Sequence, residues 1–369
     1  MRKHVTLGDV CKKGSSNIAQ KDIENSNGTY AIYGASGYIK DVNFYHQDKP
    51  YIAVVKDGAG IGRTMLLPEK TSVIGTLQYL IPNDSISVKY LYYAVTYMNL
   101  SKYFTGATIP HIYFKDYQKE LLPLPPMEKQ QEIAGNLEKI DTIIGLCNSI
   151  MERMDVLIKS RFIEMFGELL LNSMAWDEYP LGVVCDKVVR YPTFYGMEYL
   201  PSGTRVIRIG NILPDGHMEL DDENYVFVYD TVNEDFPETV IELNDIIMAV
   251  RGDGSAAKRI GIVTEPNLID ANISPNLIRI KVNNAMLNPI YMFYYLTGEV
   301  GQKRLDAYVN KTAKKNIAAK DIAKIVTPVP PLPLQNDFAA FVQEIDKSKL
   351  VCSHMVLYIE ILLRKERIL

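Results

Sequence analysis

The chain has 369 residues, 47% of them hydrophobic and 23% charged, with a formal net charge of −4. That length suits two domains plus connecting elements, and the composition is that of a folded globular protein rather than a disordered one. No apolar run follows Met1-Arg2-Lys3-His4, no segment approaches a membrane span, and the four scattered cysteines include no Cys-x-x-Cys pair. These features argue against a secreted, membrane-bound or zinc-stapled protein and for a cytoplasmic chain with reduced thiols.

Residues 1–123 read as a globular, β-rich domain. Strand-like stretches rich in Val, Ile and Tyr lie at 30–33, 51–55 and 77–81, and a single helix at 88–103 precedes the last loop. Three loops carry chemistry suited to nucleic acid. They are Tyr33-Gly34-Ala35-Ser36-Gly37-Tyr38, the run from Lys56 to Arg63 with glycines at 58, 60 and 62, and the run from Thr105 to His111. Glycine permits close backbone approach, and cations or hydroxyls meet phosphates and base edges. The candidate contacts here are Tyr33, Gly34, Ser36, Lys56, Gly58, Arg63, Thr108 and His111.

Segment 124–168 reads as a rod. Pro125 and Pro126 block extension upstream and are tolerated at a helix start. Apolar residues then step by four and three through Ile133, Leu137, Ile140, Ile144, Cys147, Met151, Met154 and Ile158, broken at Arg161 and resumed at Met165. A 3.5-residue period held this long predicts a coiled-coil seam, and 128–166 predicts a rod of about 58 Å.

Residues 169–328 form a second β-rich domain, with strand-like stretches at 206–209, 225–229, 246–250 and 277–282. A helix at 289–305 opens on Asn288 as cap and Pro289 as first residue. Its loop from Arg251 to Arg259 matches 56–63, and Asn310-Lys311-Thr312-Ala313-Lys314-Lys315-Asn316 matches 105–111 and is the clearest basic cluster in the chain. Candidate contacts are Arg208, Asn211, Arg251, Lys258, Arg259, Lys311, Lys314 and Lys315. A glycine-rich turn is most often only a hairpin turn and a lysine cluster only a solvated face, so it is their recurrence at equivalent places that points to nucleic acid. Segment 329–369 is the second rod, with its seam at Phe338, Val342, Ile345, Cys352, Val356, Ile359 and Leu363 and a break at Lys349. Each domain is expected to be α+β, with a twisted, largely antiparallel sheet and helices to one side.

The chain is an internal repeat. Leu7-Gly8-Asp9-Val10-Cys11 matches Leu181-Gly182-Val183-Val184-Cys185 at a shift of 174, while Pro125-Pro126 matches Pro330-Pro331 and Ile140-Asp141 matches Ile345-Asp346 at 205. The second copy therefore holds 31 more residues in its middle, and all four cysteines obey the register. The two narrow seams predict antiparallel rods related by a pseudo-twofold axis, with Cys147 and Cys352 near the axis and close to each other. No [Asp/Glu]-x-Lys nuclease motif, amino-methyltransferase motif, Gly-x-Gly-x-x-Gly fingerprint, phosphate loop or histidine cluster occurs, so no catalytic residue and no metal site are expected. Asn288-Pro289-Ile290-Tyr291 lacks the second proline of the methyltransferase motif.

Pro125-Pro126-Met127-Glu128-Lys129-Gln130 and the second Pro-Pro helix through Gln335 resemble the conserved helices of specificity (S) subunits of type I restriction–modification systems. The Leu-Gly-x-Val-Cys openings, with Trp176 before the second, resemble the entries to that family's target-recognition domains. The second copy departs from the pattern at Pro333 and Lys349. The resemblance covers essentially the whole chain. It implies that each domain recognises half of a bipartite, asymmetric site in double-stranded DNA and that the rods act as spacer. It also implies that two methyltransferase subunits and restriction subunits join the chain. S-adenosylmethionine, ATP and Mg would sit on those partners and none on this chain. A coiled-coil adaptor and a self-contained restriction–methyltransferase enzyme are the competing readings. The adaptor leaves the recurring loops unexplained, and the enzyme lacks its motifs.

Overall fold

The computed structural model describes residues 4–106, 110–190, 198–250, 259–309 and 317–365. The chain forms two compact units, Met1–Ser149 with Ser353–Leu369, and Ile150–Cys352.

The first unit opens with β1 (His4–Thr6), a single helical turn α1 (Leu7–Val10) and β2 (Cys11–Ser15). It continues through β3 (Tyr30–Gly34), β4 (Gly37–Val42), β5 (Tyr51–Val55), β6 (Thr64–Leu67), β7 (Ser72–Val73) and β8 (Leu77–Pro82). Then come α2 (Val88–Tyr97), α3 (Phe114–Tyr117), β9 (Leu121–Pro123) and the long α4 (Met127–Phe166), whose first part belongs to this unit. Instead of one sheet there are three: an antiparallel β2-β8-β5-β6, a mixed β4-β3-β7 with β3 and β7 parallel, and the pair β1-β9. The division follows from β5, which is buried on both faces. Ile52 and Val54 pack with Leu80 under α2, while Tyr51, Ala53 and Val55 pack with Leu77 and Tyr79 toward β3.

The second unit repeats this order with β10 (Asp177–Pro180), α5 (Leu181–Val184), β11 (Cys185–Arg190), β12 (Thr204–Ile207), β13 (Val226–Val228), α6 (Val232–Asp235), β14 (Ile246–Ala249), β15 (Ile260–Ile262), β16 (Asn272–Ile273) and β17 (Leu277–Val282). It closes with α7 (Pro289–Thr297), α8 (Glu299–Asp306), α9 (Ala319–Ile322), β18 (Val326–Val329) and α10 (Leu332–Lys365), whose first part, to Cys352, belongs to this unit. Its sheets are β11-β17-β14-β15, β13-β12-β16 and β10-β18, strand for strand those of the first unit. The expected helices at 88–103 and 289–305 are each broken. Asn99 turns left-handed (φ 49) after α2, and α7 and α8 meet at Gly298.

The repeated sequence motifs make repeated contacts. Leu7 N and Gly8 N donate to Glu120 O and Gln118 O (both 2.9 Å), and Leu181 N and Gly182 N donate to Ile325 O and Ala323 O (both 2.8 Å). The Cys that follows starts the first sheet strand, and burial pushes both the Cys11 and the Cys185 thiol up to about 12, where they are poor nucleophiles. The Pro-Pro-x-x-x-Gln motif is a clamp. Gln130, 1% exposed, accepts from Ser87 N (2.8 Å) and donates to Ser85 O (3.1 Å) and Pro125 O (2.9 Å). Gln335, fully buried, accepts from Asn288 N (2.8 Å) and donates to Met286 O (3.1 Å) and Pro330 O (2.7 Å). Tyr90 and Tyr291 add matching hydroxyl bonds to Pro123 O (2.8 Å) and Pro328 O (3.0 Å). Each long helix is thus bolted to the loop that precedes α2 or α7.

The extra residues of the second copy are concentrated in one place. The register is 174 at β3/β12 and already 194 at β5/β14. A tight turn joins β3 to β4, whereas β12 and β13 are separated by an excursion over 208–225. Gly216 sits in it with φ +88, accepts from Ile262 N of β15 (3.1 Å), and has no room for a Cβ against Phe293.

The long helices follow the predicted seam. Leu137, Cys147, Ile158, Phe338 and Val342 are buried, and Ile133, Ile140, Ile144, Met151, Met154, Ile345, Cys352, Val356, Ile359 and Leu363 are half-buried. Within the second unit, Phe162 and Phe166 of α4 meet Phe338 of α10 at ring separations of 5.3 and 5.5 Å, and Asp155 pairs with Lys349. Rising numbers on α4 meet falling numbers on α10, so the helices run antiparallel. Within the first unit, Leu363 of α10 joins Ile133, Leu137 and Ile140 of α4 in one apolar cluster. Both breaks in the seam have partners: Lys349 meets Asp155, and the Arg161 guanidinium lies 6.0 Å from the Phe341 ring.

Candidate DNA interface

In the first unit the three glycine-bearing loops converge. The loop after β5 needs left-handed backbone at Gly58, Gly60 and Gly62 (φ +83, +97 and +82), and a Cβ on Gly62 would come within 2.6 Å of Ser101 N. Arg63, exposed, donates to Ala35 O (3.1 Å) in the turn after β3, so two of the loops are tied together. The third is tied in by Gly58 N to Pro110 O and Ile112 N to Lys56 O (both 3.0 Å). Lys56 lies 3.6 Å from Asp57, and Asp57 in turn pairs with His111, whose ring lies 4.1 Å from that of Tyr113. Ser36 is exposed, Tyr33, Lys56, Gly58 and His111 are half-buried, and Gly34 is buried; Thr108 lies outside the described residues. Sequence reasoning passed over Asp57 and the exposed aromatics Phe104 and Tyr113 beside this cluster.

The second unit brings the roots of its two matching loops together in the same way. Ile317 N donates to Val250 O (3.2 Å), the counterpart of Ile112 to Lys56, and Ala249 N donates to Arg259 O (2.8 Å). Arg251, Lys258, Lys311, Lys314 and Lys315 lie outside the described residues. Arg259 donates to Ile212 O (3.0 Å) and Arg208 to Asn224 O (3.1 Å), so both arginines also hold the 208–225 excursion. Asn211, expected to touch DNA, is 2% exposed, and its amide is spent on Arg208 N (2.8 Å) and Asn224 O (3.0 Å). It shapes the Arg208 turn from inside, because the excursion folds over it.

The negative net charge is local. Segment 209–250 holds eleven Asp and Glu and no Lys or Arg, so the rest of the chain carries +7. The matching stretch of the first copy, 35–56, holds three lysines and two aspartates. Part of the acidity is neutralised internally. Arg279, 1% exposed, donates to Asp245 and Glu242 (both 2.7 Å), and Lys281 pairs with Glu242 at 2.6 Å. Lys281 and then Arg279 hold the Glu242 carboxyl at about 2, while burial raises that of Asp245. Confined acidity removes the objection that net charge poses to DNA binding, since phosphate attraction depends on local cations.

Among the described residues no group of three or more His, Cys, Asp or Glu is placed to hold a metal ion, and no helix is long and apolar enough to cross a membrane.

Residues 2–153 match the family model described as Type I restriction modification DNA specificity domain. The chain is 23% identical over 313 residues to the type I restriction enzyme MjaVIII specificity subunit of Methanocaldococcus jannaschii, covering 80% of this chain and 72% of that one. It is 23% identical over 297 residues to the EcoBI specificity subunit of Escherichia coli, covering 72% of this chain and 60% of that one. The fold is similar to the crystal structure of a type I restriction–modification S subunit from M. genitalium, with TM-score 0.60, 16% identity, and coverage of 99% and 94%. It is also similar to a chain from a structural study of assembly and conformational transition in the type I system, with TM-score 0.56, 15% identity, and coverage of 98% and 95%. Two copies of one fold module, each running into a long helix, make up the chain, and the first copy is the one that the DNA specificity model matches. Resemblance to specificity subunits of type I restriction–modification systems therefore runs through both sequence and fold, and DNA recognition is the role it supports. Neither an adaptor nor a self-contained enzyme is supported by these likenesses.

Proposed function

We propose that this chain recognises a bipartite, asymmetric site in double-stranded DNA, one half per module, and catalyses nothing itself. Segments 1–123 and 169–328 act as the recognition domains, and 124–168 and 329–369 act as helical spacers that fix the number of unspecified base pairs. Two methyltransferase subunits bring S-adenosylmethionine, and restriction subunits bring ATP and Mg. Such an assembly works where the DNA is, in the bacterial or archaeal cytoplasm. The helices' outer faces suit docking of partners: Leu146, Val156, Ile163, Val351 and Tyr358 are all more than half exposed. The DNA contacts are Tyr33, Gly34, Ser36, Lys56, Gly58, Arg63, Thr108 and His111 in the first domain. In the second they are Arg208, Arg251, Lys258, Arg259, Lys311, Lys314 and Lys315.

The observation that carries this reading is the convergence of the glycine-bearing loops in the first unit, with the same backbone bridge recurring at the roots of the matching loops in the second. The test is selection from random duplexes by this chain together with its methyltransferase subunit. Recovered DNA should share two unlike short motifs at a fixed spacing. A single motif, or no enrichment, refutes the reading.

A further inference from the structure

The geometry points to His111 as a specificity-determining residue of the first unit, accepting a hydrogen bond from the exocyclic amino group of a base, with Asp57 as the residue that positions it. This rests on the DNA-reading role proposed above.

His111 is fixed from two sides. Its backbone exchanges both hydrogen bonds with Thr105 (2.9 Å each), and it bridges Asp57 across the ladder formed by Ile112 with Lys56 and Gly58 with Pro110. The imidazole is oriented by a carboxylate and a ring: Nδ1 meets Asp57 Oδ1, and the Tyr113 ring lies 4.1 Å away at 51°. Lys56 approaches the other Asp57 oxygen at 3.6 Å, which leaves Oδ1 to the histidine. A carboxylate only accepts, so the proton of the neutral ring resides on Nδ1 and Nε2 keeps its lone pair. Nε2 makes no hydrogen bond among the described residues, and the side chain is 25% exposed.

That tautomer limits what His111 can meet. A lone pair has nothing to gain from a phosphate oxygen, from guanine N7 or O6, or from thymine O4, all of which are acceptors. The major-groove donors are the adenine N6 and cytosine N4 amino groups. The arrangement therefore differs in kind from Arg63, which can only donate.

The test repeats the duplex selection with the methyltransferase complex for wild type, His111→Ala, His111→Gln and Asp57→Ala. His111→Ala should relax one base pair of one motif, with discrimination there falling roughly tenfold to a hundredfold. The rest of that motif, the other motif, the spacing and the salt dependence of binding should be unchanged. Asp57→Ala should relax the same base pair. Uniform weakening with a shallower salt slope would mark a cation on a phosphate and overturn the proposal, as would an unchanged motif. If His111→Ala enriches nothing, His111→Gln decides, since it keeps an acceptor at similar reach: retention of the motif supports the proposal and its loss refutes it. Failure of the wild type to enrich any bipartite motif instead removes the DNA-reading role, and this proposal with it.

Discussion

At one matched position the two units build the same strand with opposite chemistry. In the first, residue 79 of β8 is a tyrosine, 1% exposed, whose hydroxyl accepts from Val73 N (3.1 Å). In the second, the corresponding residue of β17 is Arg279, also 1% exposed, bonded to Asp245, Glu242 and Glu238 O. The strand order is identical, so the frame dictates backbone pairing and leaves the interior side chains free to differ. The acidic partners of Arg279 come from the segment where the second copy has diverged most.

The strongest way to break the comparison is to break these interiors. Arg279→Met leaves Asp245 buried without its cation and should destabilise the second unit by about 3–5 kcal/mol. Tyr79→Phe leaves one amide unpaired and should cost the first about 1–3 kcal/mol. Urea unfolding checks both, with Trp176, the chain's single tryptophan, reporting the second unit. Equal costs would mean that the two interiors are equivalent after all. The clamps probe what is shared. Gln130→Leu and Gln335→Leu each orphan a backbone N–H and two carbonyls, and each should cost about 1–3 kcal/mol. The two losses should agree more closely than those of the first pair, and a large disparity would deny a common frame.

Acid should separate the units further. Glu242 is held near 2 against an ordinary 4.5, so its contribution is complete above about 4.5 and is lost as pH falls toward 2. Asp245, raised by burial, titrates in the opposite sense. The comparison is therefore between wild type and Glu242→Gln: the variant should show a flatter fall in Trp176-monitored stability between pH 4.5 and 2.5, and parallel curves would refute it. Half of Glu242 is solvent-exposed, which keeps the effect modest. The smallest effect is expected at the seam. Lys349→Leu removes an ion pair with the half-exposed Asp155 and restores the apolar series, so unfolding should move by less than about 1 kcal/mol.

Much of this molecule was legible before its structure. The 3.5-residue period marked both helices and even the two positions that break it, and the register of Leu-Gly and Pro-Pro motifs gave the duplication. What stayed hidden depends on partners distant in sequence. Tyr51–Val55 is apolar throughout and carries no alternation, so nothing in it says that odd and even residues serve two cores and split the sheet. Gln130 and Gln335 belong to the motif, yet their partners before α2 and α7 lie more than forty residues away. Asn211 has the residue type of a base contact, and only the fold shows that it is enclosed. Asp57 in a glycine-rich loop reads as a turn former, and its role is set by a histidine fifty-four residues on.

The composition of the first unit from two separated stretches has a consequence for biosynthesis. Residues up to 149 leave the ribosome early, but their apolar cluster includes Leu363, and the whole of the second unit must be translated in between. At about 5–20 residues per second that is a wait of roughly 10–40 s. The module made first is therefore finished last, and until then the apolar residues Ile133, Leu137 and Ile140 of α4 lack Leu363 and are what a chaperone would meet.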